Sequence, residues 1–134
     1  MSQINQRNAM HQYAQAGAQV ADIEPYRTVQ MLLQGAMDRI AMAKGHMQRK
    51  EIRQKGEYIS KAISIIDGLQ SGLDRESGGA IAGNLEGLYD YMQRQLLKAN
   101  LEDNLTILDE IAGLLANIKE AWDAIPDSAK RLPA

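Results

Sequence analysis

From Tyr26 onward, apolar and small residues return every three or four positions. Tyr26, Val29, Leu33, Ala36, Ile40, Ala43 and Met47 form one such stripe, the spacing that places side chains on one face of an α-helix. Ile52, Ile59, Ile63, Ile66, Leu69 and Leu73 form a second, and Ile81, Leu85, Leu88, Met92, Gln95/Leu96 and Ala99 a third. Leu108, Ile111, Leu115, Ile118 and Trp122 form a fourth. Asp22 or Glu24 can cap the first helix, and Pro25 suits the first helical turn, where its missing N–H is not needed. A turn near Arg49 to Ile52 divides the first two stripes, because one continuous helix of about fifty residues would be ~75 Å long. The stretch "SGLDRESGG" ends the second helix, Asn100 to Asp103 is the next connection with Asn100 or Asp103 as cap, and Pro126 stops the fourth. Short connections force antiparallel neighbours. The expected fold is therefore all-α, an antiparallel up-down-up-down four-helix bundle over residues 25–125. Residues 1–24 are expected to form an N-terminal arm, weakly ordered or a short helix, and residues 126–134 a polar C-terminal tail.

Composition supports the helical reading. The chain has 3 prolines and no phenylalanine, and its 7 methionines accompany abundant Ala, Leu and Gln, which are good helix formers. With no cysteine, disulfides and thiolate metal sites are excluded. The formal net charge of -2 gives no electrostatic case for nucleic acid or an anionic membrane. No apolar run approaches the ~20 residues of a membrane span. "MSQINQRNAM" lacks a charged-then-apolar leader, so a cytoplasmic chain without membrane insertion is expected.

Candidate chemistry is sparse. A di-iron bundle needs Glu-x-x-His pairs, and His11 and His46 do not have that spacing. His46 with a methionine could hold haem, but a surface histidine near a helix end is the simpler reading. No nucleophile, base and orienting group come together, so no enzyme and no cofactor are expected. Gly79, Gly83 and Gly87 recur every four residues and read as close helix packing. Lys44, Arg49, Lys50, Arg53, Lys55 and Lys61, with Glu51 and Glu57 interleaved, read as a solvated helix end.

The apolar faces are wider than a bundle seam requires. The second helix adds Tyr58, Ala62, Ile65 and Gly72; the third Tyr89, Tyr91 and Leu97; the fourth Ile107, Leu114, Ala121 and Ile125. The surplus is core, a homo-oligomer contact in a self-associating structural bundle, or a groove for a partner's helix.

Several stretches resemble one family. They are "PYRTVQMLLQGAMDRIAMA", "ISKAISIIDGLQSGLDRESGGAIAGNLEGLYDYMQRQLLKAN" and "LDEIAGLLANIKEAW". Pro25/Tyr26, Met31 to Ala36, Leu73 to Gly79, Asn84 to Met92, Leu97 to Asn100 and Ala121/Trp122 follow, in order, the pattern of the flagellar export chaperone family, FliS. One departure is "MLLQGA", where the family usually has "MLYDGA"; an aromatic and an acid become Leu33 and Gln34. The resemblance implies a cytoplasmic chaperone that binds the disordered C-terminal segment of flagellin, prevents premature polymerisation and presents its client to the flagellar export gate. A regulatory anti-sigma factor or a co-chaperone is a further candidate partner. On this reading the surplus apolar faces receive client helices, with Ile59, Ile63, Ile66, Leu88 and Met92 as candidate groove residues.

The arm then has a candidate role. Met10 and Tyr13, three residues apart, are its main apolar anchors, and a helix so short orders only against something else. The expectation, which the resemblance also suggests, is a lid that covers the groove until flagellin displaces it.

Overall fold

In a computed structural model, residues 24–73 and 75–126 are described. Each apolar stripe becomes a helix: α1 (Glu24–Gln48), α2 (Ile52–Ser71), α3 (Arg75–Glu102) and α4 (Leu105–Asp123). Pro25 falls in the first turn of α1, where its fixed φ is already helical. The turn between α1 and α2 lies where the polar run "RKE" breaks the stripe. There Lys50 adopts φ 61, and the Glu51 N–H donates back to the His46 carbonyl at 2.9 Å. The left-handed residue thus closes the helix end in the manner usually given to glycine.

The other connections use different devices. Gly72 caps α2. Gly79, at φ 53 and ψ -128, kinks α3 soon after it begins, a backbone conformation that a Cβ would oppose. Between α3 and α4, Asp103 is left-handed at φ 52, and Asn104 rather than Asn100 or Asp103 is the cap. Its side-chain oxygen accepts from the Ile107 N–H at 3.2 Å, satisfying one of the otherwise unpartnered donors of the first turn.

The helices form a ring in which α1 packs on α2, α2 on α3, α3 on α4 and α4 back on α1, with α1–α2 the most extensive contact and α3–α4 the least. The directions alternate. Lys55 near the start of α2 donates to the Asn100 carbonyl near the end of α3 at 2.9 Å, and Lys44 late in α1 pairs with Asp109 early in α4 at 2.6 Å. The up-down-up-down bundle expected from the sequence is the observed fold.

Its core is built from the stripes. Leu33, Ile40, Ile59, Ile66, Met92, Leu96, Leu108, Ile111 and Leu115 are fully buried. Each contributes roughly 1.5–3 kcal/mol through burial, before entropic costs. Leu33, the departure in "MLLQGA", is one of them, while its neighbour Gln34 is exposed and bonds Asp38 at 2.9 Å. Tyr89 is also core, and burial pushes its hydroxyl pKa above the usual value. Ile52 leaves its stripe: it is 71% exposed, because it opens α2 beside the connection.

Two clamps hold the ends of the ring. At one, Tyr26 stacks on Trp122 with ring centroids 4.9 Å apart. At the other, Lys55, expected in a solvated basic cluster, is instead buried. Its ammonium bonds both the Asn100 carbonyl and the Asp103 carboxylate, which offsets the cost of removing the charge from water.

Candidate binding surface

The five candidate groove residues separate by burial. Ile59, Ile66 and Met92 lie wholly inside and hold the bundle together. Ile63 and Leu88 are half-buried, packed on the core while keeping an outward edge. Met10 and Tyr13 lie outside the described residues.

Leu88 belongs to the seam between α3 and α4. The Tyr91 hydroxyl donates to Glu110 across this seam at 2.7 Å, which sets the antiparallel register and brings Gly113 level with Leu88 and Gly87. Leu88, Tyr91, Leu114 and Ile118 are all half-buried against the core. Beside them Gly83, Gly87 and Gly113 are exposed, and a Cβ at any of the three would meet nothing within 4 Å. The expectation that Gly83 and Gly87 pack helix against helix is therefore corrected: their shared face is the outer one. The least extensive contact of the ring thus has an apolar floor and a bare rim.

Ile63 belongs to the next seam. It stands seven residues from both Gly56 and Gln70, two helical turns each way on one face. Those two positions face α3: Gly56 approaches the Asn100 side chain, and Gln70 donates to the Glu86 carbonyl at 3.2 Å. Further along α3, Leu97 and Leu101 are exposed one turn apart. Of the surplus positions, Ala62, Tyr89 and Ile107 are core, Tyr58, Ile65, Tyr91 and Leu114 are half-buried, and Leu97 and Ala121 are exposed.

His46 lies in the last turn of α1, as expected, but is half-buried rather than at the surface. Its ring stacks on Tyr58 at 5.3 Å, and its Nδ1 lies 3.0 Å from Glu51 Oε1. Hydrogen bonds from His46 and then Arg49 hold the Glu51 carboxyl below the usual carboxylate range. Among the described residues, no group of three or more His, Asp or Glu side chains could hold a metal ion. No described helix is long and apolar enough to cross a membrane. What the surface offers is apolar area on helical seams, the chemistry of helix-in-groove recognition.

The sequence is similar to those of known proteins. The sequence profile described as "Flagellar protein FliS" matches residues 6–129. The chain is 48% identical over 119 residues to the flagellar secretion chaperone FliSB of Pseudomonas aeruginosa, covering 87% of this chain and 94% of that protein. It is 45% identical over 120 residues to the flagellar secretion chaperone FliS of Salmonella typhimurium, covering 87% and 89%. The similarity extends to Bacillus subtilis, whose flagellar secretion chaperone FliS is 28% identical over 101 residues, covering 75% and 74%. With its bundle and nearly all of its length matched, the chain belongs to the FliS family of flagellar secretion chaperones.

Proposed function

We propose that this chaperone acts in the cytoplasm on flagellin. It binds the disordered C-terminal segment of flagellin as that segment becomes helical, blocks premature polymerisation and delivers the client to the flagellar type III export apparatus. The observation that carries the reading is the α3–α4 seam, where Leu88, Tyr91 and Leu114 form a half-open apolar floor beside exposed glycines. A helix laid there buries its own apolar face and completes the burial of theirs. The client loses conformational entropy on ordering, so one seam is a weak site, and Ile63 on the α2–α3 seam extends the apolar track. Met10 and Tyr13 act as the lid that occupies this track until the client arrives.

The reading is tested by titrating the full chain with a peptide of the flagellin C-terminal segment. One-to-one binding is expected. Leu88→Ser and Ile63→Ser should weaken it while leaving the fold intact, because both side chains are only half-buried. Ile66→Ala should instead destabilise the protein by about 2–5 kcal/mol, as core truncations do. Tyr13→Ala should raise dye binding by the free protein. Absence of a complex at micromolar concentrations, or full affinity in the Leu88 and Ile63 variants, would overturn the reading.

A further inference from the structure

The outward face of α3 carries a row that neither the core nor the apolar floor of the α3–α4 seam uses. Tyr89, Met92, Leu96 and Ala99 turn inward and are buried. On the opposite side of the helix Gly83, Gly87, Asp90, Arg94, Leu97 and Leu101 are all exposed. Their steps are four, three, four, three and four, the spacing of a coiled-coil seam. Leu97 and Leu101 are 55% and 85% exposed, and a Cβ at Gly83 or Gly87 would meet nothing within 4 Å. Between leucines and glycines, Arg94 Nε lies 3.2 Å from the Asp90 carboxylate in an ion pair open to solvent.

This row is complementary to itself. When a second copy of α3 is laid antiparallel and centred on Met92, Gly83 falls level with Leu101 and Gly87 with Leu97. Each bare glycine then faces a leucine, and the missing Cβ leaves room for it to seat. Asp90 falls level with Arg94. The other charges of this span, Glu86 and Lys98 on the flanks, also fall level with opposite signs. A parallel, in-register pair would instead set every one of these charges against its like, which is destabilising. Arginine has five donors, so Arg94 can hold the Asp90 of its own chain and that of a second copy together. Size and sign therefore select one geometry, a two-fold antiparallel pair in which the same patch serves both copies.

We propose that the free chaperone pairs with a second copy of itself through the outward face of α3. Leu97 and Leu101 of each copy seat on Gly87 and Gly83 of the other, and Asp90 and Arg94 of the two copies form a cluster of alternating charges at the two-fold axis. The contact is one helix from each copy, ~27 Å long. That is less than an obligate dimer buries, so the pair separates on dilution.

Sedimentation of the full chain without flagellin should show monomer giving way to dimer between about 1 μM and about 1 mM. Arg94→Asp and Asp90→Arg should each weaken the dimer about tenfold or more, because each turns the central cluster into four like charges. The exchange Asp90→Arg/Arg94→Asp should restore it, and so should an equimolar mixture of the two single variants. The chain has no cysteine, so Gly87→Cys chains mixed with Leu97→Cys chains report the direction of pairing. Mild oxidation should link the two kinds to each other in excess over either kind to itself. The proposal is overturned by a chain that stays monomeric up to about 1 mM, by a dimer indifferent to the charge reversals or not restored by the exchange, or by preferential self-linking of the Gly87→Cys chains. It is equally overturned if the methyl signals of Leu97 and Leu101 move on addition of the flagellin C-terminal segment but not with chain concentration, for the row then belongs to the client. Whether flagellin binds is decided separately by the peptide titration, so failure of the pairing and failure of the client reading are distinguishable.

Discussion

Tyr26 and Trp122 bond each other twice while their rings are stacked. The Tyr26 hydroxyl donates to the Trp122 carbonyl, and the Trp122 indole N–H donates to the Tyr26 carbonyl at 3.0 Å. The pair joins the first turn of α1 to the last turn of α4 and closes the ring at the end where the first helix enters. Gln30 reinforces it by donating to Asp123 at 2.6 Å.

Breaking this pair in steps should separate its parts. Tyr26→Phe keeps the stack and removes one hydrogen bond, an expected loss of about 1 kcal/mol in denaturant unfolding. Tyr26→Ala removes the stack as well and should cost about 3 kcal/mol. Trp122 is the single tryptophan of the chain, so its fluorescence reports the site directly: emission should move to the red in the Ala variant and hardly at all in the Phe variant. Equal stability of the two variants would show that stacking contributes nothing.

Lys55 and Asp103 make an asymmetric pair, with side-chain exposures of 5% and 62%. The asymmetry predicts an order of effects. Lys55→Met removes the buried charge together with its desolvation cost, and the Asn100 carbonyl loses one donor, so the expected loss is about 1 kcal/mol. Asp103→Ala leaves the ammonium buried with only that carbonyl to bond, and should cost more, about 2 kcal/mol. Thermal unfolding of the two variants in parallel reads the order; a larger loss in Lys55→Met would contradict it.

Glu51 predicts a pH dependence. Its carboxyl sits below the ordinary glutamate value in the folded chain, through hydrogen bonds from His46 and then Arg49. A depressed acid pKa contributes stability that is present above the unfolded value and lost as pH falls through the folded one. Glu51→Gln should therefore lower the melting temperature at neutral pH, and the difference from the unaltered chain should shrink to nothing well below about pH 4. A difference that stays constant across that range would mean that the amide is disfavoured for steric reasons, not for charge.

The sequence stripes suffice for the four helices because large apolar residues at helical spacing can be buried in only one way. Leu33, Ile40, Ile59, Met92, Leu108 and Leu115 all lie where their period puts them. Periodicity says nothing about where a neighbouring helix ends, and Ile52 and Lys55 depend on that. The end of α3 leaves Ile52 uncovered yet brings the Asn100 carbonyl and Asp103 over Lys55. The cap at Asn104 is hidden in the sequence because Asn100 and Asp103 offer the same chemistry within a few residues, and only the left-handed turn at Asp103 selects among them. The groove is legible as an excess of apolar surface but not residue by residue. One helical face builds both floor and core, and fractional exposure separates Ile63 and Leu88 from Ile59, Ile66 and Met92.

The glycines of α3 give the sharpest separation between fold and function. Gly83 and Gly87 are helical and open to solvent, and a methyl added at either would meet nothing within 4 Å, whereas Gly79 has φ +53. Glycine in a helix interior costs up to about 1 kcal/mol relative to alanine. Gly83→Ala and Gly87→Ala should therefore stabilise the free protein, each by about 0.5–1 kcal/mol. Gly79→Ala should destabilise it by about 1–2 kcal/mol, since its backbone conformation opposes a Cβ. If the α3–α4 seam receives a client helix at close approach, the same methyls that stabilise the free bundle should weaken flagellin binding, most at Gly87, which lies level with Gly113 beside Leu88. Unfolding and titration of the same variants separate the two effects. A stabilised Gly87→Ala that binds flagellin undiminished would place the client helix away from that rim.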